Sequence, residues 1–458
     1  MRAMVATSQA IATRAGVRML ERGGNAADAA VAAAAVLCVA EPMSTGLGGD
    51  LFAIVWRDGR ADGLDAAGPA PAAVDAPLPV AERGPRSVTV PGAVAGWAAL
   101  LERHGTRALD ECLAGAVDAA EQGCPVGPRT AELWRDTEQP PPLPARVRSP
   151  ELAATLRAIA GGGPEAFYRG AVAEAIAAAT WLEAGDLAGY APRWVEPLRI
   201  DYRGTEVLEL PPPAQGVAAL EGLGILRHLE PGLAARVHAV RLALADAFAH
   251  VRDGADVGRL LDPGRLRRRA RERAAGAPAL RGGTAYLCAV DASGTAVSLI
   301  GSLYDHFGSG VTAPGTGVVL NNRAACFAVE GRVTAGRRPY HTLIPGLLAR
   351  DGELVGPFGI TGGFVQAQAH VQFVSAVVDD GCAPQAALDR PRFRVEGDRV
   401  LLERGLWEQA DAVRGLGLEP VREPSIAPFG GGQAILAGGG GLRGGSDRRR
   451  DGRAAGLC

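Results

Sequence analysis

The chain has 458 residues, of which 47% are apolar, 21% charged and 5% aromatic, a composition typical of globular proteins with a substantial core. Its 48 basic and 50 acidic residues leave a net charge of −2, so no overall field favours nucleic acid or an anionic membrane as a partner. Every basic residue is arginine. This excludes Schiff-base chemistry and pyridoxal phosphate attached through lysine, and also the phosphate loop that ends in Gly-Lys.

The cysteines and the N-terminal region indicate the compartment. The seven cysteines lie far apart and form no Cys-x-x-Cys pair, which argues against a zinc site or a disulfide framework and favours the reducing cytoplasm. An apolar stretch over residues 29–40 follows the acidic residues Glu21 and Asp28 and is too short for a membrane span. We therefore expect a buried helix there rather than a signal peptide.

In the first part of the chain, apolar residues at helical spacing alternate with glycine-rich stretches. Gly23 and Gly24 end the first helical pattern, and Asn25 can cap a second. In chain order we predict a helix over 8–22, a second helix over 25–40, a glycine turn over 44–49, a buried strand over 50–56, a strand and turn over 87–92, and a helix over 93–104.

The character of the chain changes near residue 285. The middle third is predicted to be helical, broken by proline loops over 139–144 and 211–213, and a basic segment over 260–281 is interpreted as a solvated loop or helix face. After it, short strands separated by turn sequences are predicted over 286–290, 296–300, 318–320 and 343–349. A helical first half and a strand-rich second half predict an α+β protein.

A series of short motifs in fixed order carries the functional information. A threonine after two glycines, as in Gly282-Gly283-Thr284, is by itself only a loop sequence. Further motifs accompany it: Gly23 to Ala30, Val90-Pro91-Gly92, Pro211-Pro212-Pro213, Phe307-Gly308-Ser309-Gly310, Pro314 to Asn322, Arg338-Pro339, Thr361-Gly362-Gly363, and Gly445-Ser446-Asp447 with Arg449, Asp451 and Gly452. Together they resemble the gamma-glutamyltransferase family of N-terminal nucleophile hydrolases over nearly the whole chain.

This resemblance implies both a fold and a maturation step. The implied fold is a four-layer αββα sandwich built from two subunits of one precursor. The precursor would be cut between Gly283 and Thr284, giving a helix-rich large subunit, 1–283, and a strand-rich small subunit, 284–458. The two subunits would form a heterodimer, and a dimer of heterodimers is a further option.

The implied chemistry depends on a threonine at a new N-terminus. Thr284 would be the nucleophile, because its own α-amine lies within reach to take the hydroxyl proton. Ser302 stands where the family has a second threonine that hydrogen-bonds the first. Gly362 and Gly363 match the family's diglycine, whose backbone N–H groups stabilise the tetrahedral oxyanion. No metal or organic cofactor is needed.

The sequence departs from the family where glutamate would bind. The family's arginine for the donor α-carboxylate aligns with Ala67, and no arginine occurs between residues 61 and 82. The family's two aspartates after Asn321-Asn322 are also absent, because the chain continues with Arg323-Ala324-Ala325. Further changes are Tyr304 in place of an asparagine and His341-Thr342 in place of a serine pair. Poor binding of gamma-glutamyl groups is therefore expected.

Three functions remain open from the sequence. The first is hydrolysis of a non-glutamyl acyl group, such as an oxalyl amide or a C–C bond in a natural-product precursor related to alkyl-proline. In that case Tyr304, His306 and His341 would line a shortened pocket, with Asn322 and Thr342 among the binding residues and Arg323 or Arg338 holding a carboxylate. The second is a gamma-glutamyl hydrolase or transpeptidase with a relocated carboxylate site. The third is a non-catalytic relative that acts as a binding protein.

Overall fold

The computed structural model describes residues 1–77, 79–134, 143–272 and 282–458. Its α-helices are α1 Ala10–Glu21, α2 Ala26–Ala40, α3 Ala93–His104, α4 Leu109–Gln122, α5 Pro128–Trp134, α6 Pro150–Gly162, α7 Glu165–Tyr168, α8 Ala171–Ala179, α9 Ala184–Ala188, α10 Gly216–Leu226, α11 Leu233–His250, α12 Pro263–Arg269, α13 Val365–Val378, α14 Pro384–Asp389 and α15 Ala410–Arg414. Within these ranges, no helix combines the length and apolar character that a membrane crossing requires.

The strands concentrate in the last third of the chain. They are β1 Ala3–Thr7, β2 Asp50–Arg57, β3 Arg60–Ala66, β4 Ala76–Pro77, β5 Cys124–Pro125, β6 Arg146–Val147, β7 Arg193–Val195, β8 Leu198–Tyr202, β9 Thr205–Glu209, β10 Gly283–Val290, β11 Ala296–Tyr304, β12 Thr312–Ala313, β13 Val318–Val319, β14 Arg332–Val333, β15 Gly346–Arg350, β16 Glu353–Ile360, β17 Phe393–Glu396, β18 Arg399–Glu403, β19 Glu419–Glu423, β20 Gly432–Gly438, β21 Gly441–Ser446 and β22 Arg453–Leu457. The predicted mixture of helices and sheets is confirmed.

Two antiparallel sheets form the centre of the molecule. One has the strand order β22-β1-β10-β11-β2-β3-β7, and the other has the order β21-β20-β16-β15-β9-β8. In the first sheet, β10 and β11 lie between β1 and β2, which come from the opposite end of the sequence. The segment with the predicted nucleophile is therefore held on both sides by hydrogen-bonded strands.

Alternating side chains bury both faces of the first sheet. On β10, Tyr286 and Cys288 belong to a core shared with the second sheet and with α10, α11 and α13. Their neighbours Ala285 and Leu287 belong to a separate core shared with α1, α2, α3 and α4. This period of two is the expected pattern of a strand buried on both sides.

Helix α2 shows why the N-terminal apolar stretch folds as predicted. The Asn25 side chain accepts hydrogen bonds from the N–H groups of Ala27 and Asp28, and the Asp28 carboxylate accepts one from the Asn25 N–H at 2.8 Å, forming a capping box. Every residue from 26 to 40 is buried, so the expected buried helix is confirmed. The Asp28 carboxylate also accepts from Thr106 and Arg107, which ties α2 to the loop before α4.

The predicted strand over 87–92 is wrong. Residues Pro85–Ser87 form a short 3-10 helix, and the extended chain that follows pairs with no strand. Its N–H groups bond elsewhere: that of Thr89 to the Asn321 side chain, that of Val90 to the Pro69 carbonyl, and that of Gly92 to the Gly49 carbonyl. Residues in irregular loops thus accept the backbone hydrogen bonds of a segment whose residue types favour a strand.

Other predicted elements are shifted or divided. The strand predicted over 343–349 begins only at Gly346, because the N–H groups of Leu343 and Ile344 bond to side chains instead. In the basic segment, Arg265 and Arg269 pair with Asp246 and are largely buried, so the solvated interpretation is wrong for these two. The part of this segment over 273–281, and most of the proline loop 139–144, lie outside the described residues.

Asp28 allows a test of how the fold is held together. Its fully buried carboxylate accepts bonds from the Asn25 N–H within the cap and, outside the cap, from two backbone N–H groups and one hydroxyl, so Asp28→Ala should lower the free energy of unfolding by about 3 kcal/mol. Urea denaturation followed by circular dichroism measures the change. Asp118→Ala, at an exposed position of α4, is the control and should change the stability by less than about 0.5 kcal/mol. Equal effects of the two substitutions would contradict the role of Asp28.

Candidate active site

Thr284 is the second residue of β10 and lies at an irregularity in the sheet. Gly283 pairs with Tyr304 and Ala285 pairs with Gly301, so two residues of β11 stand opposite Thr284. This is a β-bulge, which turns side chains away from regular alternation. Its effect is to bring Ser302 against the peptide bond that precedes Thr284. Both hydroxyl residues are almost completely buried.

Two hydroxyl groups converge on one carbonyl oxygen. The Thr284 hydroxyl donates to the Gly283 oxygen at 2.7 Å, and the Ser302 hydroxyl donates to the same oxygen at 2.6 Å. The Tyr304 N–H donates to Ser302 Oγ at 2.7 Å and so fixes the direction of that hydroxyl. In the continuous chain Ser302 thus bonds to the carbonyl at the predicted cut, rather than to the Thr284 hydroxyl as the resemblance implied. Hydroxyl donors on a carbonyl oxygen stabilise the charge that develops there during nucleophilic attack.

The residue before Thr284 has to be glycine. A Cβ atom on Gly283 would lie 2.4 Å from Cδ2 of His306, well inside van der Waals contact. The ring of His306 therefore packs directly over the backbone at the predicted cut. His306, predicted to line a pocket, lies in the same cleft as Thr284.

The diglycine lies on the other side of the predicted cut. Gly362 and Gly363 have φ angles of +110° and +67° and lead into α13. A Cβ on Gly282 would lie 3.0 Å from the Gly363 Cα, so this turn touches the chain next to Thr284. A Cβ on Gly362 would lie 2.7 Å from the Val365 side chain, in a backbone conformation that other residues rarely adopt. The diglycine thus lies beside the chain at the predicted cut, and its role as an oxyanion donor remains a prediction.

Gln366, on the first turn of α13, was not predicted. Its Nε2 donates to Thr284 Oγ1 at 3.3 Å, and its Oε1 accepts from the Ile344 N–H at 3.2 Å. The side chain is fully buried. Glutamine carries no ionisable group and stands in an apolar helical pattern, so only its position three residues after the diglycine could have drawn attention to it.

A buried charged cluster forms behind Ser302, around the Asp50 carboxylate. Asp50 pairs with Ser302 in the sheet register, one strand further from Thr284. Its Oδ2 contacts the Arg323 Nε at 3.3 Å and the His341 Nε2 at 3.0 Å, and its Oδ1 accepts from the Gly68 N–H. Burial and the neighbouring Arg323 lower the pKa of His341 to about 4, so this imidazole is neutral near pH 7. Asp50 and Arg323 are then the charged members of the cluster.

Arg323 has an unused donor inside this cluster. Its Nη1 bonds to the Thr342 hydroxyl at 3.3 Å, and its guanidinium lies 4.6 Å from the centroid of the Tyr304 ring. Its Nη2 is buried and has no hydrogen-bond partner among the residues that the structure describes. Tyr304 has a φ angle of +78°, a conformation rare for a bulky side chain and one that marks local strain.

The remaining predicted binding residues have other contacts. Both ends of the Asn322 amide bond to backbone, accepting from the Asp305 N–H and donating to the Glu82 carbonyl at 2.7 Å. Arg338 donates to the carbonyls of Ala67 and Ala191. Of the two arginines considered for a carboxylate, Arg338 therefore has its donors committed to backbone, whereas Arg323 does not.

A cleft of about 820 Å³ opens beside Thr284. Its walls include the backbone at the predicted cut and charged residues of both signs. These charged residues are Glu82, Arg83, Asp305, Arg394, Glu396, Glu423 and Arg450. Within the described part of the chain, no group of histidine, cysteine, aspartate or glutamate residues is arranged to hold a metal ion.

Comparisons with known proteins identify the family. The pattern of the gamma-glutamyltranspeptidase family matches residues 12–457. The Glutathione hydrolase-like YwrD proenzyme of Bacillus subtilis (strain 168) is 32% identical over 443 residues, covering 85% of this chain and 84% of the relative. The oxamate amidohydrolase proenzyme of Klebsiella pneumoniae is 32% identical over 512 residues, covering 98% of this chain and 97% of the relative.

A solved structure gives the same result. The cephalosporin acylase from Bacillus halodurans superposes with a TM-score of 0.93 at 37% sequence identity, and the match covers 99% of this chain and 96% of the acylase. Fold and site therefore define an N-terminal nucleophile hydrolase. The chain belongs to the gamma-glutamyltranspeptidase family, as its motifs predicted, and it is an enzyme of that family.

The Ser302 hydroxyl can be tested through self-cleavage. Ser302→Ala removes one of the two donors to the Gly283 oxygen, so cleavage should slow by about 100-fold, the usual effect of losing one oxyanion donor. Ser302→Thr keeps the hydroxyl and should cleave at close to the normal rate. Intact mass spectrometry of quenched time points measures the uncut fraction.

Ser298→Ala is the matched control for this experiment. Ser298 is also a buried serine of β11, but it bonds to Tyr286 and the Phe358 carbonyl rather than to Gly283. It should leave the cleavage rate unchanged. If Ser302→Ala cleaved as fast as Ser298→Ala, the hydroxyl would have no part in the reaction.

Proposed function

We propose that the chain is a self-processing N-terminal threonine hydrolase that cleaves a short, carboxylate-bearing acyl group, such as oxalyl, from a small molecule. The observation that carries the first part is the convergence of the Thr284 and Ser302 hydroxyls on the Gly283 oxygen. The proenzyme names of two relatives support a precursor that is cut. The oxamate amidohydrolase among these relatives supports an oxalyl group.

Maturation would begin with attack of Thr284 Oγ1 on the Gly283 carbonyl carbon. As this bond forms, the hydroxyl proton passes to the Gly283 oxygen along the existing hydrogen bond, and the Ser302 hydroxyl stabilises the charge there. The C–N bond to Thr284 then breaks, its nitrogen takes the proton held by the Gly283 oxygen as the carbonyl re-forms, and an ester remains. Water hydrolyses the ester, leaving a Gly283 carboxylate on residues 1–283 and a free α-amine and hydroxyl on residues 284–458.

The mature enzyme would repeat this chemistry on a substrate. The freed α-amine of Thr284 takes the hydroxyl proton during attack on the substrate carbonyl and returns it to the leaving group. The N–H groups of Gly362 and Gly363 are proposed to hold the tetrahedral oxyanion. The acyl group is then released from Thr284 by water, so the cycle needs no metal or organic cofactor.

Arg323 is the proposed anchor for the acyl group's carboxylate. Thr284, Ser302 and Asp50 occupy neighbouring strands, which places the Thr284 and Asp50 backbones about 10 Å apart at the usual strand spacing. Arg323, bonded to Asp50, carries the unpartnered Nη2, a donor for which a carboxylate is a fitting partner. Tyr304, His341 and Thr342 would surround that carboxylate, and Asn322 would support the site through its backbone contacts. None of these residues, nor Arg323, lines the cleft beside Thr284, so the carboxylate would have to reach beyond that cleft to the buried Arg323.

The other two functions from the sequence have less support. A gamma-glutamyl hydrolase with a relocated carboxylate site is favoured by the name of the YwrD relative. The aspartates that the family uses for the donor's α-ammonium are absent from this chain, because Ala324 and Ala325 follow Arg323 there. A non-catalytic binding protein is disfavoured because both hydroxyls and the diglycine lie together at the predicted cut. Cleavage of a C–C bond in a natural-product precursor stays a prediction.

The architecture and the compartment complete the proposal. The two sheets share one core, the first sheet packs on α1 to α4 and the second on α10, α11 and α13, which supports the four-layer αββα sandwich. The subunits 1–283 and 284–458 would stay together as a heterodimer. We also propose a cytoplasmic location, in keeping with the seven free cysteines.

Thr284→Ala tests the nucleophile. The wild-type chain should give two fragments by intact mass, with the new N-terminus at Thr284, and the variant should remain one chain. Hydrolysis of oxamate by the variant should fall to background because both attacker and base are lost. A variant that is still cut between Gly283 and residue 284, or a fully active uncut wild type, would contradict the proposed function.

Substrate ranking tests the carboxylate site. The mature enzyme should hydrolyse oxamate or an oxalyl anilide with kcat/KM at least about 30-fold above that for a gamma-glutamyl anilide, because an Arg–carboxylate bond contributes about 2 kcal/mol. An acetyl anilide, which lacks the carboxylate, serves as the neutral reference. Faster turnover of the gamma-glutamyl anilide would favour the relocated glutamate site instead.

A further inference from the structure

The Thr284 hydroxyl needs a defined orientation before it can attack. A threonine hydroxyl rotates freely about its C–O bond, and productive attack requires a lone pair on the carbonyl carbon and the proton on an acceptor. In the continuous chain the proton is directed to the Gly283 oxygen at 2.7 Å. The hydrogen bond that Thr284 Oγ1 accepts from a second group then decides the orientation of the hydroxyl.

Gln366 provides that second contact. Its Nε2 lies 3.3 Å from Thr284 Oγ1 and can only donate, so Thr284 Oγ1 must accept from it. An oxygen that accepts from Gln366 uses its own proton elsewhere, and the Gly283 oxygen is the acceptor in reach before the cut. After the cut, the new α-amine of Thr284 would take over as the acceptor.

The amide of Gln366 is locked in the orientation that donates. Its Oε1 accepts from the Ile344 N–H at 3.2 Å, so a flipped amide would place two donors against each other. The main-chain N–H of Gln366 bonds to the Gly363 carbonyl, which also accepts from the buried Gln215 amide. Gln366 thus links the nucleophile to the same turn that carries the diglycine.

We propose that Gln366 is a positioning residue that sets the hydroxyl orientation of Thr284, both for self-cleavage and for substrate attack. The inference rests on the proposed function, because it assumes that Thr284 is the nucleophile. The inference adds a requirement beyond the N-terminal threonine itself. A neutral hydrogen-bond donor must contact Thr284 Oγ1 on the side away from the group that accepts its proton. A carboxylate at this position would accept the hydroxyl proton and turn it away from the Gly283 oxygen.

Self-cleavage of the full chain, made by cell-free translation and quenched at intervals, tests the inference without a substrate. Gln366→Met keeps the size but removes the donor, and cleavage should slow by about tenfold at every pH, the value of one neutral hydrogen bond. Gln366→Glu should slow cleavage at pH 8, where the side chain is ionised. It should regain most of the rate at pH 5, because burial of this site raises the pKa of the new carboxyl above its usual value of about 4.3 and a protonated carboxyl can donate again.

Gln368→Glu is the matched control. Gln368 is a buried glutamine one half-turn along α13 that bonds to the Phe364 and Val395 carbonyls and not to Thr284. It places the same new carboxyl in the same helix, so loss of stability alone would appear in both variants. Its cleavage rate should stay at the wild-type value across the same pH range.

The same variants also control for the other titratable groups around α13. His370 on α13 pairs with Glu209 at 2.6 Å, Tyr340 donates to the Gln215 amide, and Arg450 bonds to Thr361 beside the diglycine. These groups are present in every variant. The dependence of the cleavage rate on pH in Gln366→Met and Gln368→Glu therefore measures the contribution of these groups. Only a further increase of the rate at low pH in Gln366→Glu can be assigned to residue 366.

The outcomes separate this inference from the proposed function. Cleavage of Gln366→Met at the wild-type rate, or a Gln366→Glu profile that parallels Gln368→Glu, would overturn the role of Gln366 while leaving Thr284 untouched. Cleavage of Thr284→Ala at the same bond would overturn the proposed function itself. If Gln366→Glu fails to fold by circular dichroism, the comparison of Gln366→Met with wild type decides the question.

Discussion

The site depends on one carbonyl oxygen that two hydroxyl groups share inside a closed sheet. Thr284 and Ser302 both donate to the Gly283 oxygen at the point where the register between β10 and β11 shifts. The absent Cβ at Gly283 and the tight packing of His306 occur at the same point of the chain.

The residues predicted to replace the family's glutamate site also form one physical unit. Tyr304, Arg323, His341 and Thr342 all surround or contact the charge pair that Arg323 makes with Asp50. A buried charge is tolerated when it has a partner of opposite charge, as Arg323 has in Asp50. Replacing Arg323 alone would leave the Asp50 carboxylate without this partner, which is a physical reason for these positions to change together.

Sequence patterns predicted much of the fold and singled out Thr284 and the diglycine. The Asn25 cap with α2, the strand that begins at Asp50, and the motif order around Thr284 and the diglycine rest on short-range patterns. Other features depend on distant contacts. Arg323 and Asp50 are 273 residues apart, so their pairing has no local signature. The chain around Thr89 resembles a strand in composition, but a side chain more than 200 residues away takes its N–H. Gln366 was missed because a neutral glutamine in an apolar helical pattern gives no chemical signal, and its contact with Thr284 depends on residues 82 positions apart.

The strand order has a consequence for the two products of a cut after Gly283. Strands β10 and β11 from the downstream piece lie between β1 and β2 of the upstream piece, while β22 closes the outer edge beside β1. The strands of the two pieces would alternate in this sheet, and separating the pieces would break three rows of backbone hydrogen bonds, those of β22–β1, β1–β10 and β11–β2. Mixing the two pieces after making them separately would then give little active enzyme, because their strands have to pair while the precursor folds as one chain.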